Sequence, residues 1–189
     1  MADPLIALQD VKDELDIDSG ETAWDTRLTS LISDIIAEAE TEIEAKLEAV
    51  TDSIVYLDGN TAQLFLPHLN VTAVQVWQDG DRGFDDDYEV DAGDYTLQVD
   101  RGVINKDSGR FIKGHQVVKV KYTGGYTQVT FPRELKRALI KQVAYYWRRR
   151  KDPGLTAVVY PDGSVQKFTQ DEWLSSTLTV LDRYRRVFL

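Results

Sequence analysis

The run VKVKYTGGYTQVTFPRELKRALIKQVAYYWRRRK, Val118 to Lys151, hands a strand over to a long helix. Val118, Val120 and Tyr122 alternate with Lys119 and Lys121, the period of two that a half-buried strand imposes. Gly124-Gly125 ends the strand, because residues without a Cβ enter turn conformations that others avoid. Pro132 fits the first helical position, where its missing N–H costs little, and Glu134 meets the positive end of the helix dipole. Leu135, Leu139, Val143 and Tyr146 then recur at helical spacing. Arg148, Arg149, Arg150 and Lys151 place positive charge at the helix C-terminus, where the dipole favours it. The junction predicts a β segment clamped between helices and carries no catalytic group.

Working outward, the N-terminal stretch reads as helical. Leu5, Leu8, Val11, Lys12 and Leu15 make a short amphipathic helix closed by Asp18-Ser19-Gly20. Thr22 is placed to cap a second helix, with Asp25 three residues on. That helix is expected from about Ala23 to Leu47, through Trp24, Leu28, Leu31, Ile35, Ala39, Ile43 and Leu47. At ~1.5 Å per residue it would span about 37 Å. Its other face is acidic: Asp34, Glu38, Glu40, Glu42 and Glu44.

Between the helices, short β-rich runs alternate with Asp58-Gly59, Asp79-Gly80, Ala92-Gly93 and Arg101-Gly102 turns. SIVYLDG, TAQLFLPH, VTAVQVWQDG, DYEV, DYTLQVD, GVIN and QVVKVKYTGG are the candidate strands. After the basic helix, Asp152-Pro153-Gly154 is a helix stop, and Pro161-Asp162-Gly163-Ser164 marks a loop or short hairpin. A last helix is expected from about Asp171 to Val187. Its Trp173, Leu174, Leu178, Val180, Leu181, Tyr184, Val187 and Phe188 cover more than one apolar stripe. Either that helix is buried deeply in its own subunit, or part of it docks on a partner. The chain is therefore an α+β protein. A helical core (residues 1–50 and 132–189) carries an inserted, mainly antiparallel β subdomain (51–131).

The formal net charge of −10 is unevenly spread. Residues 1–52 hold 15 acids and 3 bases, whereas residues 132–151 hold 8 bases and 1 acid. Two solvated helix faces would account for this, and so would an acidic surface on one subunit meeting a basic surface on the next. The acid excess argues against a duplex-DNA binder that works through backbone contacts. With 189 residues the chain can bury roughly 70% of its unfolded surface, so it needs neither metal nor disulfides to fold. The absence of cysteine removes thiolate nucleophiles and thiolate zinc sites from consideration. No apolar run approaches the ~20 residues that cross a bilayer, and Met1-Ala-Asp-Pro is unlike a signal peptide.

Motifs for chemistry are lacking. His68 and His115 lie in no metal or nucleophile pattern and are expected at strand ends. Asp79, Asp81, Asp85, Asp86, Asp87 and Glu89 are the densest acids, but Asp79-Gly80-Asp81-Arg82-Gly83 lacks the third acid of an EF-hand loop. They are expected at a solvated hairpin tip. Gly124-Gly125 is no phosphate loop, since no Gly-Lys-Ser/Thr follows it. No cofactor, metal or catalytic residue is predicted.

LDGNTAQLFLPHLNVTAV (Leu57 to Val74), VKYTGGYTQVTFPRELKRALIKQVAYYWRRR (Val120 to Arg150) and the opening LIALQDVKDELDID (Leu5 to Asp18) together carry a resemblance. In that order and separation they resemble the head-tail connector, or adaptor, proteins of tailed bacteriophages. The resemblance implies a structural virion protein, not an enzyme. It would form a ring, commonly twelvefold, beneath the portal, extend the DNA channel and dock the next neck or tail protein. It would reside in the virion neck, after assembly in the host cytoplasm, with DNA passing without sequence-specific binding and no membrane involved. Cyclic assembly needs two unlike complementary faces on each subunit. The candidates are the acidic helix, with Glu38 and Glu42, and the basic helix, with Arg148, Arg149 and Arg150 at an intersubunit or portal contact. Trp173, Leu174, Leu178, Leu181, Tyr184 and Phe188 are candidates for attachment to the portal. The rival readings are a nucleic-acid-binding module using the helix at 132–151, and an enzyme with carboxylates in the β segment.

Overall fold

The computed structural model describes residues 4–150, 157–159, 165–167 and 173–186. The chain groups into two compact units, one formed by Glu44–Thr130 with Leu5 and Arg186, the other by Ile6–Ile43 with Phe131–Arg185.

In the helical unit, α1 (Leu8–Glu14), α2 (Asp25–Ile43), α3 (Arg133–Arg149) and α4 (Ser175–Tyr184) pack together, and α3 touches the other three. That is why α3 buries so many residues: Leu135, Ala138, Leu139, Gln142, Val143, Ala144 and Trp147. α2 offers Leu28, Ile32, Ile35, Ile36, Ala39 and Ile43, the i, i+3/i+4 stripe of an amphipathic helix. α4 is tied to α3 by polar groups: the Thr177 hydroxyl donates to the Ala138 carbonyl (3.3 Å), and buried Gln142 Oε1 accepts the Leu174 N–H (3.0 Å). Two short antiparallel strands, β7 (Ala157–Val159) and β8 (Val165–Lys167), lie between α3 and α4 in the chain. The Asp152-Pro153-Gly154 stop and the Pro161–Ser164 turn fall outside the described residues.

In the β unit, β1 (Val50–Leu57), β6 (Val118–Gly124) and β3 (Ala73–Gln78) form one antiparallel sheet with β6 central. Val55, Val120 and Val76 lie in one register row. A second antiparallel sheet orders β2 (Gln63–Phe65), β5 (Val103–Lys106) and β4 (Tyr95–Gln98). Leu64, Ile104, Phe111, Val76, Val118, Val120 and Tyr122 from both sheets and the loop before β6 share one core. Lys119 and Lys121 alternate onto the opposite face of β6, as the period of two requires.

Several boundaries depart from the sequence reading. α2 ends at Ile43, not Leu47. Glu44 takes φ +59°, and from there Ala45 and Leu47 are buried while Glu44, Lys46 and Glu48 are exposed, an alternation belonging to extended chain. The Lys46 N–H donates to the Pro67 carbonyl (2.8 Å), so this stretch joins the β unit. Ile43 and Leu47 satisfy a helical spacing and an alternating one equally well, so spacing alone does not mark the helix end. α1 stops at Glu14, with Asp16 at φ +56°, four residues before the acidic turn assigned to end it. Thr22 is not the cap of α2: the helix starts at Asp25, whose carboxylate instead meets buried Lys12 Nζ at 2.5 Å. Pro132 precedes α3 with ψ 126°, and the helix begins one residue later at Arg133. DYEV is not a strand. Asp86–Tyr88 form a 3-10 turn, and the segment meets β3 in an isolated antiparallel bridge, Glu89 opposite Trp77, with the Val90 N–H on the Val76 carbonyl (2.8 Å). DYTLQVD is strand only to Gln98 before a 3-10 turn at Val99–Arg101. The last helix is shorter than expected, Ser175–Tyr184.

Candidate assembly surfaces

The basic helix is the centre of the helical unit, so only a strip of it meets solvent. Of the three terminal arginines, Arg148 is exposed and donates to the Glu14 carbonyl (3.1 Å). Arg149 is half-buried against Tyr145, donating to its hydroxyl and lying 5.2 Å over its ring. Arg150 stacks 3.7 Å over Trp147, which meets Trp24 edge-on at 5.6 Å. A guanidinium on an indole face is a cation–π contact, and it turns the charge inward. Two of the three therefore serve their own subunit first.

The cations that face outward lie earlier on α3. Arg133, Arg137 and Lys141 are all exposed and recur every fourth residue, so they line one side of the helix with Arg148 further along. None of the three has an ion-pair partner among the described residues. Their neighbours Lys136 and Glu134 are engaged, the first with Asp10 (2.7 Å) and the second with Arg183 (3.0 Å) and the Tyr184 hydroxyl (2.8 Å). The row stands between two grooves. One, of about 450 Å³, has Ala138, Ser176 and Val180 in its walls; the other, of about 410 Å³, has Asp13, Glu14 and Ile140. The row is present in the sequence at i, i+4, i+8, beside a denser run of charge at the helix end.

On the acidic side, Glu38 is exposed, whereas Glu42 is half-buried and held by Arg185 through its carboxylate (3.0 Å) and its carbonyl (2.9 Å). Asp34 and Glu38 sit one turn apart on the face of α2 opposite its buried stripe. In the last helical segment Leu181 is 2% exposed and belongs to the core of its own unit. Trp173, Leu174, Leu178 and Tyr184 are half-buried, and Phe188 lies outside the described residues.

The acidic tip is solvated at Asp81, Asp85, Asp86, Asp87 and Glu89, as expected, but its base is ordered by Asp79. Asp79 is 5% exposed, and its carboxylate accepts the N–H groups of Asp81 (2.9 Å), Gly83 (2.6 Å) and Phe84 (3.0 Å). These bonds, led by those of Phe84 and Asp81, outweigh burial and hold its pKa below the ordinary carboxylate value. The loop so closed throws Phe84, at φ +54°, onto Tyr56 (5.5 Å) and towards Lys119, which covers Trp77 at 4.5 Å. Asp85, Asp86 and Asp87 remain exposed beyond it. His68 lies in the loop before β3 with Nδ1 2.7 Å from the Tyr122 hydroxyl, and His115 pairs with Asp58 (2.7 Å) on the surface. Among the described residues no three His, Asp or Glu side chains converge on a metal position, and no helix is long and apolar enough to cross a membrane.

A family model described as head completion protein matches residues 4–187. Curated protein sequences yield no match. Among solved structures, a chain in the neck of an empty gene transfer agent (GTA) particle computed with C6 symmetry aligns at TM-score 0.61 and 19% identity, covering 98% of this chain and 91% of that one. A chain of the native GTA virion gives TM-score 0.58 and 20% identity, covering 100% and 94%. A chain of the native GTA neck computed with C12 symmetry gives 0.57 and 17%, covering 100% and 97%. At these identities the structures establish a shared fold, and the family match, nearly end to end, establishes the rest: the chain belongs to the head completion protein family, structural proteins of the phage-type head-tail neck.

Proposed function

We propose that the protein is a ring-forming adaptor at the capsid vertex. Copies of it bind the portal, continue the DNA channel and dock the next neck or tail protein. The observation that carries the reading is the family match over residues 4–187, seconded by a fold that covers neck chains of another particle over more than nine-tenths of their length. The symmetry of those necks, C6 and C12, supports a cyclic and, by preference, twelvefold arrangement here. A ring of identical subunits uses heterologous contacts, so each copy must show two different faces. The helical unit has two such faces of opposite charge, the outer side of α2 and the outer strip of α3. Arg148, the most exposed of the terminal arginines, and half-buried Trp173, Leu174 and Leu178 are the residues assigned to contacts with a copy or with the portal. DNA passes through the ring without base recognition.

The test is electron microscopy of the full-length protein alone and mixed with its portal. Closed rings seated on the portal are expected in the mixture, whether or not the protein is monomeric by itself. Particles that never associate with the portal, or a protein absent from the neck of assembled virions, would overturn the reading.

A further inference from the structure

We propose that Arg133, Arg137 and Lys141 of α3 form one half of the contact between neighbouring copies in the ring, and that Asp34 and Glu38 on α2 of the next copy form the other. The proposal rests on the ring reading above and names the interface within it.

The charge pattern of the helical unit carries the inference. Its described ion pairs are satisfied internally: Lys12 with Asp25, Lys136 with Asp10, Arg183 with Glu134 and Arg185 with Glu42. Arg133, Arg137 and Lys141 stand outside that network, exposed and one turn apart, where like charges repel along the helix. A row that costs the isolated subunit something is explained if an acidic surface covers it. The chain supplies one, since 15 of its acids lie in residues 1–52 against 3 bases. On α2 the exposed acids Asp34 and Glu38 have the same four-residue spacing as Arg133 and Arg137, a rise of about 6 Å in both helices. Around them the exposed Ser30, Ser33, Ala37 and Thr41 are short, so a second helix can approach. The two rows cannot meet within one subunit. α2 packs on α3 through its opposite, apolar stripe, which turns Asp34 and Glu38 away. That is the head-to-tail geometry a closed ring requires.

The test is a charge swap in the full-length protein, scored as rings per portal by electron microscopy, with thermal unfolding as the control for folding. Arg137→Glu with Lys141→Glu should lower ring occupancy by about tenfold or more with little change in unfolding temperature, because the reversed residues are exposed. Adding Asp34→Lys and Glu38→Lys to the same chain puts opposite charges back across the contact at the two reversed positions, Arg133 alone keeping its sign, and should restore occupancy to within about threefold of wild type. Because Glu38 has a further contact in its own subunit, the pair Arg137→Glu with Asp34→Lys is the milder form of the same swap. Normal rings from the reversal variant overturn the proposal, and so does a stable swap variant that does not recover. If the reversal variant forms normal rings but loses salt-sensitive binding to short duplex DNA, the row is a phosphate contact and the proposal is wrong. Wild-type protein that makes no ring on the portal defeats the adaptor reading itself, a result distinct from all of these.

Discussion

Asp79 shows how one carboxylate organises the acidic loop that follows β3. Three backbone N–H groups converge on it, and the ionised form binds them more strongly than the protonated form. Its folded pKa is depressed, so its contribution to stability is complete above the unfolded value of 3.8 and disappears as pH falls through the lower folded one. Asp79→Asn should therefore unfold at lower temperature than wild type near neutral pH, with the gap closing in strong acid. A gap that is constant across the titration would show that the charge is irrelevant. Gly125 makes the second residue-scale case. It sits at φ +87°, and a Cβ there would lie 2.2 Å from the Glu48 carbonyl oxygen. Gly125→Ala should cost on the order of 2–3 kcal/mol by denaturant titration. Gly80→Ala, where a Cβ meets nothing within 4 Å, should be close to neutral. The Gly-Gly pair was legible in the sequence as a strand end, but only the approach of the Glu48 backbone shows which of the two glycines is irreplaceable.

At the scale of elements, α3 is at once the hub of a core and the bearer of an external charge row. Leu139 is fully buried, and Leu139→Ala should cost about 2–5 kcal/mol, depending on how far the cavity collapses. Arg133→Ala and Arg137→Ala, on the outer strip, should change stability by no more than about 0.5 kcal/mol in the isolated protein. Equal losses at buried and exposed positions in the same titration would show that the outer strip also supports the subunit. α4 is docked through polar groups as well as apolar ones. Thr177→Val removes a buried hydroxyl and leaves the Ala138 carbonyl without that donor, for a loss of about 1 kcal/mol. Within the broad apolar face of this segment Leu181 is core, while Leu178 and Val180 keep part of their surface.

At the scale of the whole molecule, the ring proposed above would assemble by an electrostatic approach, given the surplus of acid and its segregation from the basic strip. Attraction between unlike faces steers encounter and is screened over about 8–10 Å at moderate ionic strength. On that proposal, the rate at which rings form on the portal should fall as salt rises. Light scattering after mixing, over a salt series, reads this directly, and a salt-independent rate would argue for a contact that is apolar throughout.

What the sequence determined alone was the class of every long element and the order of the chain. Val118 to Tyr122 alternates, Leu135 to Val143 steps by three and four, and each pattern has one physical reading. It also marked the uneven charge, the absence of thiols and the motifs that resemble connectors. Tertiary structure decided the rest, because those outcomes depend on groups distant in the chain. Leu47 fits a helix until the Pro67 carbonyl claims the neighbouring N–H of Lys46. Asp25 reads as part of a cap until Lys12 reaches it, and Arg150 reads as free charge until Trp147 lies beneath it. Local spacing specifies which face is apolar, but whether a charge is spent inside the subunit or left for a neighbour is settled only when the helices have packed.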